Sequence, residues 1–310
     1  MYKRAEQLAD EIWDAAISWR PFVRDTCGKQ LTNKLITAQQ TNNSWLCVGL
    51  DPVMERLPEA VLASDNPLLT FGRAIVAATA DLVCAYKPNL GFWLAEGPAG
   101  LHALQALIAS IPDHLPVILD AKFNDVGHTA AAYARAAFEA LGVDAVTANP
   151  YLGLDALRPF LAHEERGLFL LARTSNPSAP DLQDLLVHRP ERGDNSGTLY
   201  ETVARLAGRW DAEHPGVCGL VVGATYPEEL ARLRELAPNL PFLIPGIGAQ
   251  GGSLEAAVIY GPTAGGGLGP VINSSRGILY ASSSPNFAEA ARAAALALRD
   301  QINQFREAPQ

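Results

Sequence analysis

The feature that most restricts the fold is an alternation along the chain. Eight short apolar runs recur, separated by stretches with helical spacing and high alanine content. The runs are WLCVGLD from Trp45, VCAYKPN from Val83, PVILDAKF from Pro116 and DAVTANPY from Asp144. They continue as GLFLLART from Gly167, VCGLVVGAT from Val217, PFLIPGIG from Pro241 and PVINSSRG from Pro270. Helical stretches between and after them include AAAYARAAFEAL from Ala130, PEELARLRELA from Pro227 and FAEAARAAALALRDQINQF from Phe287. The runs are apolar on both faces, as parallel strands covered by helices must be. Eight β-then-α units predict an α/β fold, a (β/α)8 TIM barrel, over 45–310. An open doubly wound sheet is the alternative, but it ordinarily uses fewer strands.

Ahead of the first run, Lys3–Trp19 reads as an amphipathic helix, and residues 20–44 are polar without a clear period. Residues 1–44 are therefore expected to form an N-terminal helical extension. The opening MYKRAEQLADEIWDAAISW carries acids through its apolar positions, unlike a secretory signal. No stretch approaches the ~18 apolar residues of a membrane span. With 24 Lys+Arg against 33 Asp+Glu, the net charge of −9 disfavours non-specific nucleic-acid binding, which needs basic surface. Cys27, Cys47, Cys84 and Cys218 show no C-x-x-C spacing, so zinc and dithiol sites fail and free thiols in a cytoplasmic protein are expected.

In a barrel of this type, chemistry gathers where strands end. Asp51 ends the first run, Lys87 and Asn89 the second, and Asp120, Lys122 and Asp125 the third. Asp120 and Lys122 are two apart and should face one side of a strand, with Leu119, Ala121 and Phe123 on the other. A carboxylate between Lys87 and Lys122 would shift pKa values and hold a proton ready for transfer, although a purely structural Asp–Lys pair remains the bland alternative. Thr174 and Ser175 end the fifth run, positioned to bond a ligand amide or to cap a helix. The segment from Ser175 to Gly197 is rich in Pro, Ser, Asp and Gly and predicts a long loop of lid type. GPTAGGGLGP from Gly261 reads as a flexible linker.

The seventh run leads into PGIGAQGG, which contains G-x-G-x-x-G. A dinucleotide site would need an acidic residue about 20 positions on, and GPTAGGGLGPVINSS offers none. Glycine-rich backbone before a helix still suits a phosphate, and the loops after strands seven and eight are the usual phosphate site of such barrels. Gly248, Gln250 and Arg276 are the candidates there. The six histidines show no metal-ligand spacing, and no nucleophile elbow or Walker loop is present.

Taken together, LCVGLDP from Leu46, YKPN from Tyr86, LDAKFNDVGHTA from Leu119, NPYLG from Asn149, PGIGAQGG from Pro245 and NSSRGILYA from Asn273 resemble the orotidine 5′-phosphate decarboxylases, in their longer bacterial form. The D-x-K-x-x-D element alone is shared with related phosphosugar barrels; the upstream YKPN and the late GAQGG/Arg pair narrow the match. Phe123-Asn124 replaces the commoner Arg-Gly inside that element, and residues 20–44 are longer than the family leads one to expect. The resemblance implies conversion of orotidine 5′-phosphate to uridine 5′-phosphate and carbon dioxide, with no cofactor and no metal. It implies catalytic roles for Lys122, Asp120, Asp125 and Lys87. It assigns Asp51 to a ribose hydroxyl, Ser175 to the pyrimidine amide, and Gln250, Gly248 and Arg276 to the phosphate. Asp125 and Thr129 are expected to reach the neighbouring site of a homodimer with shared active sites, with neither nucleic acid nor membrane as partner. Two alternatives stay open at this point: a metal-dependent phosphosugar decarboxylase or aldolase, and a non-catalytic phosphosugar- or nucleotide-binding protein.

Overall fold

The structure is a computed structural model that describes residues 29–189, 194–247 and 252–308. The helix expected at Lys3–Trp19, Cys27, Gly248 and Gln250 lie outside the described residues.

All eight apolar runs are strands of one parallel sheet. They are β1 (Leu46–Leu50), β2 (Ala85–Pro88), β3 (Ile118–Phe123), β4 (Ala145–Ala148), β5 (Gly167–Arg173), β8 (Val217–Val222), β9 (Phe242–Pro245) and β10 (Val271–Ser274). The hydrogen-bonded order is β2-β1-β10-β9-β8-β5-β4-β3. The ring is completed between β2 and β3 by single bridges, Tyr86 with Val117 and Asn89 with Asp120. Outside the ring run α2 (Pro67–Thr79), α3 (Gly97–Ile108), α4 (Gly127–Arg135), α5 (Leu154–Leu161), α6 (Leu199–Glu213), α7 (Pro227–Leu236), α8 (Leu254–Tyr260) and α9 (Phe287–Glu307). This is the (β/α)8 architecture, with the main core between sheet and helices.

Two segments hold elements that the sequence pattern did not delimit. The polar stretch before β1 contains a helix, α1 (Gln30–Thr41), which lies across the end of the barrel where the strands begin. Leu31 and Leu35, four apart and so on one face, enter the barrel among Cys47, Ala85, Ile118, Ala145, Phe169 and Val217. A Cβ at Gly167 would stand 2.1 Å from Leu31 Cδ2, so only glycine admits this plug. Lys29 anchors the helix start on Asp211 (2.5 Å) and the Gly216 carbonyl (2.7 Å), and Lys34 pairs with Asp144 (2.7 Å). Near its C-terminus, the Gln39 side chain donates to the Gly269 carbonyl and accepts from the Gly269 N–H, both at 2.9 Å.

The stretch after β5 is not a plain loop. It holds a short helix, Pro180–Gln183, and a two-stranded antiparallel hairpin of β6 (Leu186–Arg189) and β7 (Asp194–Thr198). The glycine-rich connection before β10 makes a 3-10 turn, Ala264–Gly266, in which Gly265 and Gly266 take φ of 81° and 70°.

Candidate active site

Asp120 is the hub of the residues at the strand ends. Its Oδ2 accepts from Lys87 Nζ (2.9 Å) and Asn89 Nδ2 (3.3 Å). Its Oδ1 accepts from Lys122 Nζ (2.5 Å) and Thr147 Oγ1 (2.9 Å). Three strands, β2, β3 and β4, thus deliver their polar ends to one carboxylate. Charge-assisted bonds of this kind are the strong ones, and they keep a half-buried anion from being an uncompensated cost.

The electrostatics follow from that packing. Burial pushes the Asp120 carboxyl up, but Lys87 and Lys122 outweigh it and hold the group well below the usual carboxylate range. Burial pulls Lys87 down, but Asp120 and then Asp51 outweigh that, so its pKa ends above the ordinary lysine value. Both groups are therefore ionised at neutral pH. The two lysines differ in access: the Lys87 side chain is 5% exposed and that of Lys122 48%. Only Lys122 can meet a molecule entering the barrel mouth while remaining tied to Asp120.

The strand alternation that places Asp120 and Lys122 on one side holds for the side chains, but not through regular backbone. The β3–β4 register breaks between Leu119 and Phe123, and Lys122 takes φ of 53°, a left-handed conformation that a lysine adopts at some cost. Thr147 Oγ1 accepts from the Lys122 N–H (3.0 Å), so the hydroxyl that orients Asp120 also holds the bulge. On the opposite side Phe123 stacks on Tyr133, ring centroids 4.6 Å apart.

Asp51 directly follows β1. Its Oδ1 accepts from the Asn89 N–H (3.2 Å) and its Oδ2 from the Ser275 hydroxyl, so it is joined to the Asp120 group through Asn89. Tyr280 donates its hydroxyl proton to the Asp51 carbonyl (3.1 Å) and accepts from the Val53 N–H (2.7 Å). Arg276 opens the short helix after β10; it is exposed and forms no ion pair among the described residues. Ser175 lies against the end of β8, where a Cβ at Gly223 would stand 3.3 Å from its N–H nitrogen.

Asp125 does not join the Asp120 group. Its Oδ1 accepts from the Val126 N–H (2.7 Å), and it forms no ion pair among the described residues. Thr129 lies four residues on, in the first turn of α4, and Asp125 immediately precedes the N-cap residue Val126. Val126, Tyr133, Tyr151 and Leu152, from α4 and the neighbouring turn after β4, are exposed apolar residues.

Sequence reasoning did not single out Thr147 or Ser275. Thr147 was visible as a lone hydroxyl inside the fourth apolar run, and Ser275 as part of the SSR triplet. Among the described residues, no group of three or more His, Cys, Asp or Glu side chains is placed to hold a metal ion. Among the described residues, no helix is long and apolar enough to cross a membrane.

This geometry can be set beside known proteins. The Orotidine 5′-phosphate decarboxylase / HUMPS family matches residues 44–294. The chain is 52% identical to an orotidine 5′-phosphate decarboxylase of Thermomicrobium roseum over 86% of this chain and 92% of that one. It is 49% identical to one of Ralstonia pickettii over 89% and 99% respectively. The solved structure of Leishmania donovani OMP decarboxylase superposes with a TM-score of 0.76 at 40% identity, covering 90% of this chain and all of that one. The matched span runs from before β1 into α9 and so takes in every strand end described above, and on that ground the chain belongs to the orotidine 5′-phosphate decarboxylase family.

Proposed function

We propose that the chain decarboxylates orotidine 5′-phosphate to uridine 5′-phosphate in de novo pyrimidine synthesis, with Lys122 stabilising and then protonating a carbanion at pyrimidine C6. The observation that carries the mechanism is the Asp120 carboxylate held between a buried Lys87 and an accessible Lys122. Loss of carbon dioxide from an sp² carbon leaves an electron pair with no ring position to receive it. A preorganised ammonium beside that carbon lowers the barrier, because it need not reorganise as charge develops. Once the C–C bond has broken, the Lys122 Nζ proton moves to C6, and the amine left behind regains a proton from solvent. Asp120 keeps Lys122 charged and directed, and places a negative charge near the substrate carboxylate, which disfavours the ground state more than the transition state. Lys87 in turn keeps Asp120 ionised.

The remaining assignments rest on position and family. Asp51 serves a ribose hydroxyl, Ser175 the pyrimidine amide, and Arg276 the phosphate with Gln250 and Gly248. Asp125 and Thr129 serve the site of a second copy. The absence of Asp125 from its own Asp120 group and the exposed apolar residues flanking it support that exchange. The barrel over 45–310 would be the catalytic domain, acting in the cytoplasm.

The test reads loss of orotidine 5′-phosphate absorbance by protein treated with a chelator. Activity should persist; its loss would indicate a metal-dependent reaction instead. Lys122→Ala and Asp125→Ala subunits, each nearly inactive, are then mixed. In a mixed two-fold dimer one site carries both defects and the other neither. Activity should return to about half the parent level per heterodimer. If native mass spectrometry shows heterodimers and nothing returns, Asp125 acts within its own subunit.

A further inference from the structure

The hairpin after β5 is tied to the barrel by a buried arginine that the chemistry above does not use. Arg173 is the last residue of β5 and only 3% exposed, although it sits at the mouth. Its Nε and Nη2 donate to the two carboxylate oxygens of Glu229 on α7, at 2.6 and 2.9 Å. Its Nη1 lies 2.8 Å from Asp184, at the foot of the hairpin. The guanidinium carbon is 5.3 Å from the Tyr200 ring and 5.5 Å from the Tyr226 ring. A planar, bidentate pairing of this kind fixes orientation as well as distance.

The next residues continue the attachment. Gln183, one residue before Asp184, accepts from the Thr174 N–H (2.9 Å) and donates to Thr174 Oγ1 (2.7 Å). The hairpin's other leg reaches the same helix. Glu201 accepts from the Thr198 N–H (3.1 Å), and its other oxygen accepts from Arg232 of α7 (2.7 Å). Both legs are thus roped to α7, and the segment between β5 and the first leg contains Ser175. The Arg173 carbonyl also accepts from the Gly223 N–H (2.8 Å), and the Ala224 carbonyl accepts from the Ser253 N–H (2.9 Å). Ion pair, hydrogen bonds and the Gly223–Ala224 peptide thus link the hairpin foot, past the end of β8, to the N-cap of α8.

We propose that Arg173 is a positioning residue, which sets Ser175 and the hairpin foot over the barrel mouth by locking Asp184 to Glu229. It touches no substrate and acts through Ser175, so the inference rests on the assignment of Ser175 to the pyrimidine. Without that lock, residues 175–189 would have to be ordered by the ligand, and that ordering would weaken binding.

A double-mutant cycle tests it. Arg173→Met removes the guanidinium while keeping a long apolar stem. It should lower kcat/KM for orotidine 5′-phosphate about 100-fold, mostly through KM, with kcat within about fivefold of the parent. Ser175→Ala alone should also lower kcat/KM. In the Ser175→Ala background, Arg173→Met should cost less than about fivefold more, because the residue it positions is gone. An additive, hundredfold further loss would overturn the proposal and leave the Ser175 assignment standing. Ser175→Ala within threefold of the parent would overturn that assignment and the proposal with it. A fall in melting temperature with KM unchanged would make Arg173 a structural residue only. Should Arg173→Met not fold, Glu229→Gln, which leaves the Asp184 contact, carries the same cycle with a smaller expected loss of about tenfold.

Discussion

The two ends of the barrel solve opposite problems with the same strands. Where the strands begin, the interior is apolar, Leu31 and Leu35 of α1 fill it, and the polar groups around the plug meet well-matched partners such as Gln39 with Gly269. Where the strands end, two ammonium groups crowd one carboxylate, the β3–β4 register breaks and a lysine sits at φ of 53°. The first arrangement lowers free energy through burial of apolar surface. The second concentrates charge and backbone strain at one point, which is tolerated where chemistry needs fixed dipoles and a poised proton. The contrast says which end carries stability and which carries reaction, and it can be attacked from either side.

The largest expected effect is at the reactive end. Lys122→Ala should lower kcat by at least about 10⁴-fold, since both the charge beside the carbanion and its proton are removed. Circular dichroism and the melting temperature should stay near the parent, because the side chain is half exposed and its bulge is held by Thr147. Activity within about tenfold of the parent would remove Lys122 from the mechanism.

Asp120→Asn mixes the two currencies. It leaves Lys87 buried without its carboxylate, which should cost about 3–5 kcal/mol of stability at pH 7. The folded-state pKa of Asp120 is depressed, so its stabilisation is fully present above the unfolded carboxylate value and fades as pH falls through the folded one. The stability gap between parent and variant should therefore be widest at neutral pH and narrow below about pH 4. Denaturant titrations at pH 7 and pH 3 measure it, and a gap independent of pH would contradict the ionised hub.

The smallest effect on chemistry belongs to the plug. Leu35→Ala should cost about 2–5 kcal/mol, as buried leucine truncations do, with kcat within about twofold of the parent at a temperature where the variant is folded. A large loss of kcat there would show that the two ends are mechanically coupled.

What the sequence made legible follows the same division by physics. Parallel strands buried on both faces read as uninterrupted apolar runs, so all eight could be placed. Asp120, Lys122 and Lys87 stood out because charges at the ends of such runs need a reason. Within the helical extension expected before β1, α1 could not be delimited because QLTNKLITAQQT offers few apolar side chains, and its work is done by two leucines entering a space made by residues far along the chain. The hairpin was missed because LVHR and DNSGT lack strand alternation; it is ordered by Arg173, Glu201 and α7, which are tertiary partners. The bulge at Lys122 was hidden for a related reason: its support, Thr147, comes from the next strand.

The seam between β2 and β3 has a consequence for how such a protein can change over generations. Elsewhere the ring is held by ladders that are indifferent to which side chains the strands carry. Here two isolated bridges complete it, and the Lys87–Asp120 and Asn89–Asp120 bonds span the same gap. A substitution at any of these three positions would disturb ring closure and proton chemistry in a single step. Drift at this seam is therefore screened twice, once by folding and once by turnover, whereas drift in the wholly apolar stretches of the other ladders is screened by folding alone.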